Sequence, residues 1–322
     1  MRLKFSLLAL FVLVGFGLWW GGSHSGSVIL SPQGDKARQE LPYDKYSFER
    51  LAQRGGVASK IEVSGNKFYY WSEGRRISGE VNVPARPGLA GEYSVVVMAR
   101  GYVDKEIYQT GMGTHNAAKY YSDHGYVTYA PDFSGYGESD PEDSNVLGAR
   151  LAKPVEILDL IVSIGGDQPI YLWGHSNGGQ IMLSVAEILG KAQDFKGPTL
   201  KVRGVTLWAP VSKPFPYNIL FYTDEATDSG KWLRAKISEF ERDYDVFEYS
   251  VDRYLDWIEL PIQIHQGTAD ESVPKNWSDQ LVANLQDKGK KVEYFEYLGA
   301  DHNLKPGWDR VVGRDVEWFQ SL

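Results

Sequence analysis

The chain has 322 residues, of which 43% are hydrophobic and 24% charged, as in ordinary globular proteins. Its 34 basic and 42 acidic residues give a formal net charge of −8, which argues against a nucleic-acid partner because such a protein needs a basic surface. The sequence contains no cysteine, which excludes disulfides, metals held by thiolates and a cysteine nucleophile.

Residues 1–22 have the pattern of a segment that enters a membrane. Arg2 and Lys4 precede an apolar run from Phe5 to Trp20 that carries no charge. A signal peptide has an apolar stretch of about 7–15 residues and a spanning helix needs about 18 or more, so this run lies on the boundary. We favour an uncleaved signal-anchor and keep a cleaved signal peptide and a buried core helix as alternatives.

Both membrane interpretations export the rest of the chain. Residues 23–42 are polar and contain Gly, Ser and Pro, which is typical of a tether, and residues 43–322 are expected to form the folded domain. That domain would lie at the outer face of the membrane, or be secreted if the segment is cleaved.

The folded domain is expected to begin with antiparallel strands. Between Tyr43 and Pro84 the pattern is strand-like throughout. Two runs, 67–72 and 76–83, flank the turn dipeptide Glu73-Gly74, which predicts a hairpin.

From Ser94 onward, short apolar runs alternate with helical patterns. The runs are continuously apolar, as strands buried on both faces must be. This alternation predicts an α/β fold with a mostly parallel, twisted sheet and helices on both faces. The predicted strands are 95–99, 126–130, 170–173, 202–208, 262–266 and 292–297, and the predicted helices are 114–124, 155–164, 177–189, 274–288 and 308–319.

Residues 212–260, after the sixth or so strand, interrupt this alternation and look largely helical. An insertion at this point of an open α/β sheet lies over the carboxyl ends of the strands, where ligands bind, so we predict a helical cap. From Asp224 to Glu259 the segment carries eleven acidic and five basic residues. These charges form either a solvated helical face or a surface that favours cationic substrates.

The predicted strand 170–173 leads into Gly174-His175-Ser176-Asn177-Gly178-Gly179, and a helix follows. This is G-x-S-x-G at a strand-to-helix turn, which holds the serine strained with its hydroxyl exposed. Side chains in place of the flanking glycines would collide across the turn. Ser176 is therefore the candidate nucleophile, and the Asn177 amide is a candidate oxyanion donor. An incidental serine in a glycine-rich turn is the alternative.

A serine nucleophile needs a base, and the base needs a carboxylate that orients it. In this arrangement both follow the serine, in loops at later strand ends, with the acid first. Asp270 lies in the loop after run 262–266, and His302 lies in the loop after run 292–297. Glu271 and Asp301 remain rivals of Asp270 for the orienting role.

The second oxyanion donor is expected from the loop after the strand 95–99. That loop reads Arg100-Gly101-Tyr102, and the Tyr102 amide is the candidate, with its phenol as a further donor. No metal or cofactor is expected, because the chain lacks H-E-x-x-H, G-x-x-x-x-G-K-[ST] and a dinucleotide fingerprint that opens a helix.

Together these residues resemble the α/β-hydrolase superfamily and, within it, the catalytic domain of the prolyl oligopeptidase family, which includes dipeptidyl- and acylaminoacyl-peptidases. The resemblance covers about residues 43–322. It implies an α/β-hydrolase fold with Ser176 as nucleophile, His302 as base and Asp270 as orienting carboxylate. The motifs that carry it are Gly174–Gly179, Ala130–Ser139, Gly267–Pro274 and Asp301-His302.

The expected function is that of a serine hydrolase that acts through an acyl-enzyme, first of all a peptidase on small peptides. An acyl esterase of the same fold is the second hypothesis. A non-catalytic binding protein on a hydrolase fold is the third.

Overall fold

The computed structural model describes residues 40–86, 93–192, 201–223 and 226–322. Residues 41–322 form one compact unit. The predicted membrane segment 1–22 and the tether up to residue 39 lie outside the described residues and stay predictions. Within the described ranges, no helix combines the length and apolar character needed to cross a membrane.

The described strands form one sheet in the order β1-β2-β3-β5-β4-β6-β7-β8-β9. Strands β4 to β9 run parallel to one another, and β1 to β3 form an antiparallel edge that joins the sheet through the antiparallel pairing of β3 with β5. The strands are β1 (Glu62–Ser64), β2 (Lys67–Ser72), β3 (Arg75–Asn82), β4 (Ser94–Ala99), β5 (Tyr126–Pro131), β6 (Pro169–His175), β7 (Lys201–Trp208), β8 (Ile262–Gly267) and β9 (Val292–Tyr297).

Helices lie on both faces of this sheet, as the alternating pattern predicts. Successive residues of β4 show why: Val95 and Val97 belong to one hydrophobic cluster, and Val96 and Met98 belong to the other. A strand covered on both faces can be apolar at every position. The helices are α1 (Phe48–Arg54), α2 (His115–Asp123), α3 (Val146–Leu151), α4 (Lys153–Ile164), α5 (Asn177–Lys191), α6 (Tyr217–Leu220), α7 (Lys231–Glu241), α8 (Lys275–Asp287) and α9 (Trp308–Ser321).

Three elements differ from the predicted pattern. Helix α1 replaces part of the expected strand-like region, and its Phe48, Leu51 and Ala52 are buried on one helical face. Strand β1 is only three residues long and exposed, so it leaves no apolar signal. Because β1 adds a strand, the segment 212–260 follows the seventh strand rather than the sixth. Helix α3 was not predicted either; it begins where the Asn145 side chain accepts a hydrogen bond from Leu147 N at 2.9 Å.

The segment between β7 and β8 consists of α6, α7 and three short 3₁₀ helices, which confirms its helical character in the described part. Its Phe215, Phe240 and Tyr249 share a hydrophobic cluster with Phe48 of α1 and Ile181 of α5. The segment therefore packs on the side of the sheet that carries α1 and α5.

The order of the strands determines where a ligand can bind. Strand β4 pairs with β5 on one side and with β6 on the other, so the loops that leave β4 and β6 diverge. In open α/β sheets this divergence creates a crevice at the carboxyl ends of the strands. Gly101 follows β4 and Ser176 follows β6, so both lie at this crevice.

Candidate active site

Ser176 occupies the single-residue turn between β6 and α5. Its backbone angles are φ +56° and ψ −120°, a strained conformation for a residue with a side chain. The flanking glycines permit the turn: a Cβ on Gly174 would lie 2.5 Å from the oxygen of Gly178, and a Cβ on Gly178 would lie 1.9 Å from that of Ala99. The predicted strand-to-helix turn is thus present, with the geometry that exposes a serine hydroxyl.

The backbone of Ser176 is held from both sides. Its N–H donates to the Trp208 carbonyl in β7 at 2.9 Å. Its carbonyl accepts from Val211 N at 3.0 Å and from Gly179 N at 3.0 Å. These bonds fix the serine to the neighbouring strand and to the beginning of the segment that follows it.

His302 and Asp270 are hydrogen-bonded to each other. The distance from His302 Nδ1 to Asp270 Oδ2 is 2.9 Å; the aspartate side chain is fully buried and the imidazole is about one-fifth exposed. Burial alone would raise the pKa of Asp270, but the bonds from His302 and Val273 N outweigh it and hold the pKa below its ordinary value. The carboxylate is therefore ionised and accepts the Nδ1 proton, which leaves Nε2 of His302 free to act as a base.

The Asp270 loop is built to hold this carboxylate. Oδ1 accepts from Ser272 N at 2.9 Å and Val273 N at 2.8 Å, and Oδ2 also accepts from Gln266 Nε2 at 3.1 Å. The two alternative carboxylates for the orienting role, Glu271 and Asp301, have other environments. Glu271 is exposed, and Asp301 uses Oδ1 to accept from the backbone N–H groups of Asn303 and Lys305. Of the three carboxylates, Asp270 is therefore the one that the structure places in hydrogen-bond contact with the His302 ring.

His175 connects the serine turn with the His302 loop. Its Nε2 donates to the His302 carbonyl at 2.9 Å, and the two imidazole rings have centroids 4.6 Å apart. Burial, together with the neighbouring His302, lowers the pKa of His175 to about 4, so it is neutral at pH 7. In the described part of the chain, no hydrogen bond joins Ser176 to His302 directly. Such bonds often tighten only when substrate is bound.

The candidate oxyanion donors also lie at this turn. Asn177 is the first residue of α5, so its N–H cannot be satisfied by the helix itself. A Cβ on Gly101 would lie 3.1 Å from Ser176 Cβ, which shows that the loop after β4 passes close to Ser176. Tyr102 follows in that loop. Its phenol donates to Asp104 Oδ1 at 2.7 Å and its side chain is 72% exposed, so the phenol is already engaged elsewhere and the backbone amide is the better candidate.

Two groups that support the site were not singled out from the sequence. Arg100 is buried and donates to the carbonyls of Gly101 and Asp132 at 2.9 and 3.2 Å, which fixes the loop after β4. His265, inside β8, lies 2.7 Å from the Tyr297 hydroxyl and 3.0 Å from an Asp315 carboxylate oxygen. This buried bridge joins β8, β9 and α9 just before the Asp270 and His302 loops. The signals that could have revealed them were an imidazole inside the apolar run 262–266 and a charged residue directly after the apolar run 95–99.

The comparisons with known proteins agree with this architecture. A sequence profile described as the alpha/beta hydrolase fold matches residues 95–245, a range that contains β4 to β7 and the Ser176 turn. The chain has the α/β-hydrolase fold. The fold class predicted from the sequence is therefore confirmed.

Solved hydrolase-fold structures resemble the chain at low sequence identity. A puromycin-hydrolyzing peptidase of Mycobacterium tuberculosis superposes with a TM-score of 0.59 and 16% identity, over 82% of this chain and 39% of the peptidase chain. This chain therefore spans about two-fifths of that protein. Est1E of Butyrivibrio proteoclasticus gives a TM-score of 0.54 and 16% identity, over 80% of this chain and 98% of its own. The structure of DcsB in complex with its substrate analogue gives a TM-score of 0.55 and 15% identity, over 81% of this chain and 99% of the DcsB chain.

These likenesses establish the fold and nothing narrower. None of them points specifically to the prolyl oligopeptidase family, so that part of the resemblance stays a prediction. A comparison with curated protein sequences gives no match. Across the described ranges, no group of three or more histidine and acidic side chains is arranged to hold a metal ion.

Proposed function

We propose that the protein is a serine hydrolase with Ser176 as nucleophile, His302 as base and Asp270 as the orienting carboxylate. The observation that carries the proposal is the conjunction of a strained serine at the strand-to-helix turn with a His302–Asp270 pair on the adjacent loops. His175 and the carbonyl of His302 join the two halves.

The mechanism follows from these positions. Nε2 of His302 takes the Ser176 proton as Oγ attacks the substrate carbonyl carbon, and the imidazolium is stabilised by the ionised Asp270. The backbone N–H groups of Asn177 and Tyr102 donate to the oxyanion. His302 then protonates the leaving group, and an acyl-enzyme remains on Ser176 Oγ. Water, deprotonated by His302, releases the acyl group and restores the serine.

The substrate is proposed to be a small peptide or a carboxylic ester. The match to a puromycin-hydrolyzing peptidase supports the peptidase hypothesis only as a likeness in fold. An ester is the second candidate, since the same acyl-enzyme route cleaves both bonds. The apolar segment within residues 1–22 supports an exported or membrane-anchored enzyme.

The experiment compares the protein with its Ser176→Ala variant on aminoacyl anilides and acyl nitrophenyl esters. We expect kcat/KM to fall by about three or more orders of magnitude in the variant with unfolding temperature unchanged. Efficient ester turnover without amide cleavage would favour the esterase. Unchanged activity in the variant, or failure of a fluorophosphonate probe to label Ser176 in the folded protein, would refute a serine hydrolase.

A further inference from the structure

A cavity between α1, α4, α5 and the segment after β7 reaches Asn177, the residue that follows Ser176. It is bordered at one end by Asn177, and Phe48, Ile181 and Phe215 form part of its apolar wall. Its volume of about 40 Å³ holds roughly three water molecules, enough for a small polar group. No residue of the Asp270 or His302 loops lines it.

Two cations line this cavity, Arg150 at the end of α3 and Lys153 at the start of α4. Arg150 Nη2 donates to Gln180 Oε1 at 2.9 Å, which uses one of its five N–H donors. Lys153 Nζ lies 5.7 and 5.6 Å from the ring centroids of Phe133 and Tyr136. As the first residue of α4, Lys153 also adds its charge to the partial positive charge of the helix start.

In the described part of the chain, neither cation forms a direct ion pair with a carboxylate. Glu156 and Glu142 attract Lys153 electrostatically, but the Glu156 carboxylate accepts from Ser134 Oγ at 2.6 Å and Ser134 N at 3.1 Å, and Glu142 pairs with Lys105. Burial, together with repulsion from Arg100 and Arg150, lowers the pKa of Lys153 to about 8. Charges that are shielded from bulk water are usually paired, so two partly buried cations without a direct ion pair around one cavity are suited to an anion from outside.

The acidic residues of the segment between β7 and β8 do not oppose the binding of an anion in this cavity. Within the described residues most of them face solvent, which favours the solvated-face interpretation of that charge; they are Asp228, Glu239, Glu241, Asp243, Asp245, Glu248, Asp256 and Glu259.

We propose that this cavity is an acyl-group subsite in which Arg150 and Lys153 bind a carboxylate carried by the substrate. The proposal rests on the catalytic role proposed for Ser176. The acyl side is chosen because His302 must protonate the leaving group, which therefore lies toward the His302 loop, whereas the cavity lies toward Asn177. The substrate class is esters or amides of acids that carry a second carboxylate, such as short dicarboxylic acids.

The test uses ester pairs that differ only in charge: monoethyl succinate against ethyl butyrate, and monoethyl adipate against ethyl hexanoate, with ethanol release as the signal. We expect the protein to prefer the anionic member of at least one pair in kcat/KM. Arg150→Gln and Lys153→Gln should each lower kcat/KM on that member by roughly 10- to 100-fold, the effect of losing a charged hydrogen bond, and change the neutral ester by less than about threefold.

Two controls separate charge from damage to the fold. Lys119→Gln removes an exposed cation on α2, paired with Asp123, and should leave the ratio unchanged. Arg150→Lys keeps the positive charge and should therefore keep part of the preference for the anionic ester. A purely structural role of Arg150 would not predict that this preference depends on charge.

A second measurement separates this proposal from that of catalysis. In the Ser176→Ala variant, calorimetric binding of succinate or adipate that disappears on adding Arg150→Gln supports the subsite even when no ester is hydrolysed. Ester hydrolysis without a preference for the anionic member, or a preference that survives both Gln substitutions, overturns the subsite and leaves the serine mechanism standing.

Discussion

Asp270→Asn tests the orientation of His302 with an almost isosteric change. In the protein the ionised carboxylate accepts the Nδ1 proton of His302 at 2.9 Å and keeps Nε2 unprotonated. In the variant Oδ1 can still accept from the N–H groups of Ser272 and Val273, but the amide NH₂ then faces Nδ1. The imidazole must carry its proton on Nε2 instead, where it can no longer receive one from Ser176.

The expected magnitude follows from that tautomer change. Replacing the carboxylate of such a triad by an amide lowers kcat by about ten-thousand-fold, or about 5 kcal/mol of transition-state stabilisation. Asp270 is also fully buried, so the lost charge-assisted bonds should lower the free energy of unfolding by about 1–3 kcal/mol. Steady-state kinetics on the best ester of the panel, together with urea unfolding, measure both effects.

The matched controls are the two rival carboxylates. Glu271→Gln and Asp301→Asn change exposed side chains and should leave kcat within about threefold, because surface substitutions alter free energies by about 0.5 kcal/mol. Should Asp301→Asn or Glu271→Gln reduce kcat as strongly as Asp270→Asn, the assignment of Asp270 would be refuted.

Three further predictions concern the residues around this pair. Gly178→Ala should lower the free energy of unfolding by at least about 3 kcal/mol, because the new Cβ would lie 1.9 Å from Ala99 O. The control Gly289→Ala, at φ +67° in open space, should lower it by only about 1–2 kcal/mol. Equal unfolding temperatures of the two variants would contradict the close packing at Gly178. Because the pKa of His175 is about 4 in the folded protein and 6.5 when unfolded, stability should fall by about 2 kcal/mol as the pH drops from 6.5 toward 4, allowing for its partly exposed ring. His175→Gln should remove that part of the pH dependence in urea titrations, and an unchanged slope would show that other groups cause it. Since the pKa of Lys153 is about 8, the preference for the anionic ester should decline as the pH rises through that value, while kcat/KM for the neutral ester should not show this decline. A ratio of the two kcat/KM values that stays constant from pH 6.5 to 9.5 would argue against a contact between Lys153 and substrate.

The parallel part of the sheet could be predicted because burial on two faces leaves a continuous apolar run. All six predicted runs coincide with strands, and β9 matches its predicted bounds at both ends. The edge was less predictable: α1 spans only two turns, and β1 buries nothing, so neither produces a clear periodicity.

At the site, chain order and loop position were enough to propose Ser176, Asp270 and His302 as candidates, since each follows a different strand at the same edge of the sheet; their catalytic roles stay predictions. The cavity was not foreseen. Arg150 lies on α3, which was not predicted, and Lys153 precedes the predicted start of α4. Two ordinary basic residues near a helix end carry no sequence signal, because only the fold sets them beside α5.

The hydrogen bond from Val211 N to Ser176 O defines where the segment between β7 and β8 can be exchanged. A chimera that grafts a foreign insertion before residue 211 would cut the bond that supports the nucleophile's own peptide group. A junction placed after it would leave the serine turn intact. Substrate range could therefore be re-engineered between Val211 and β8 without rebuilding the serine turn.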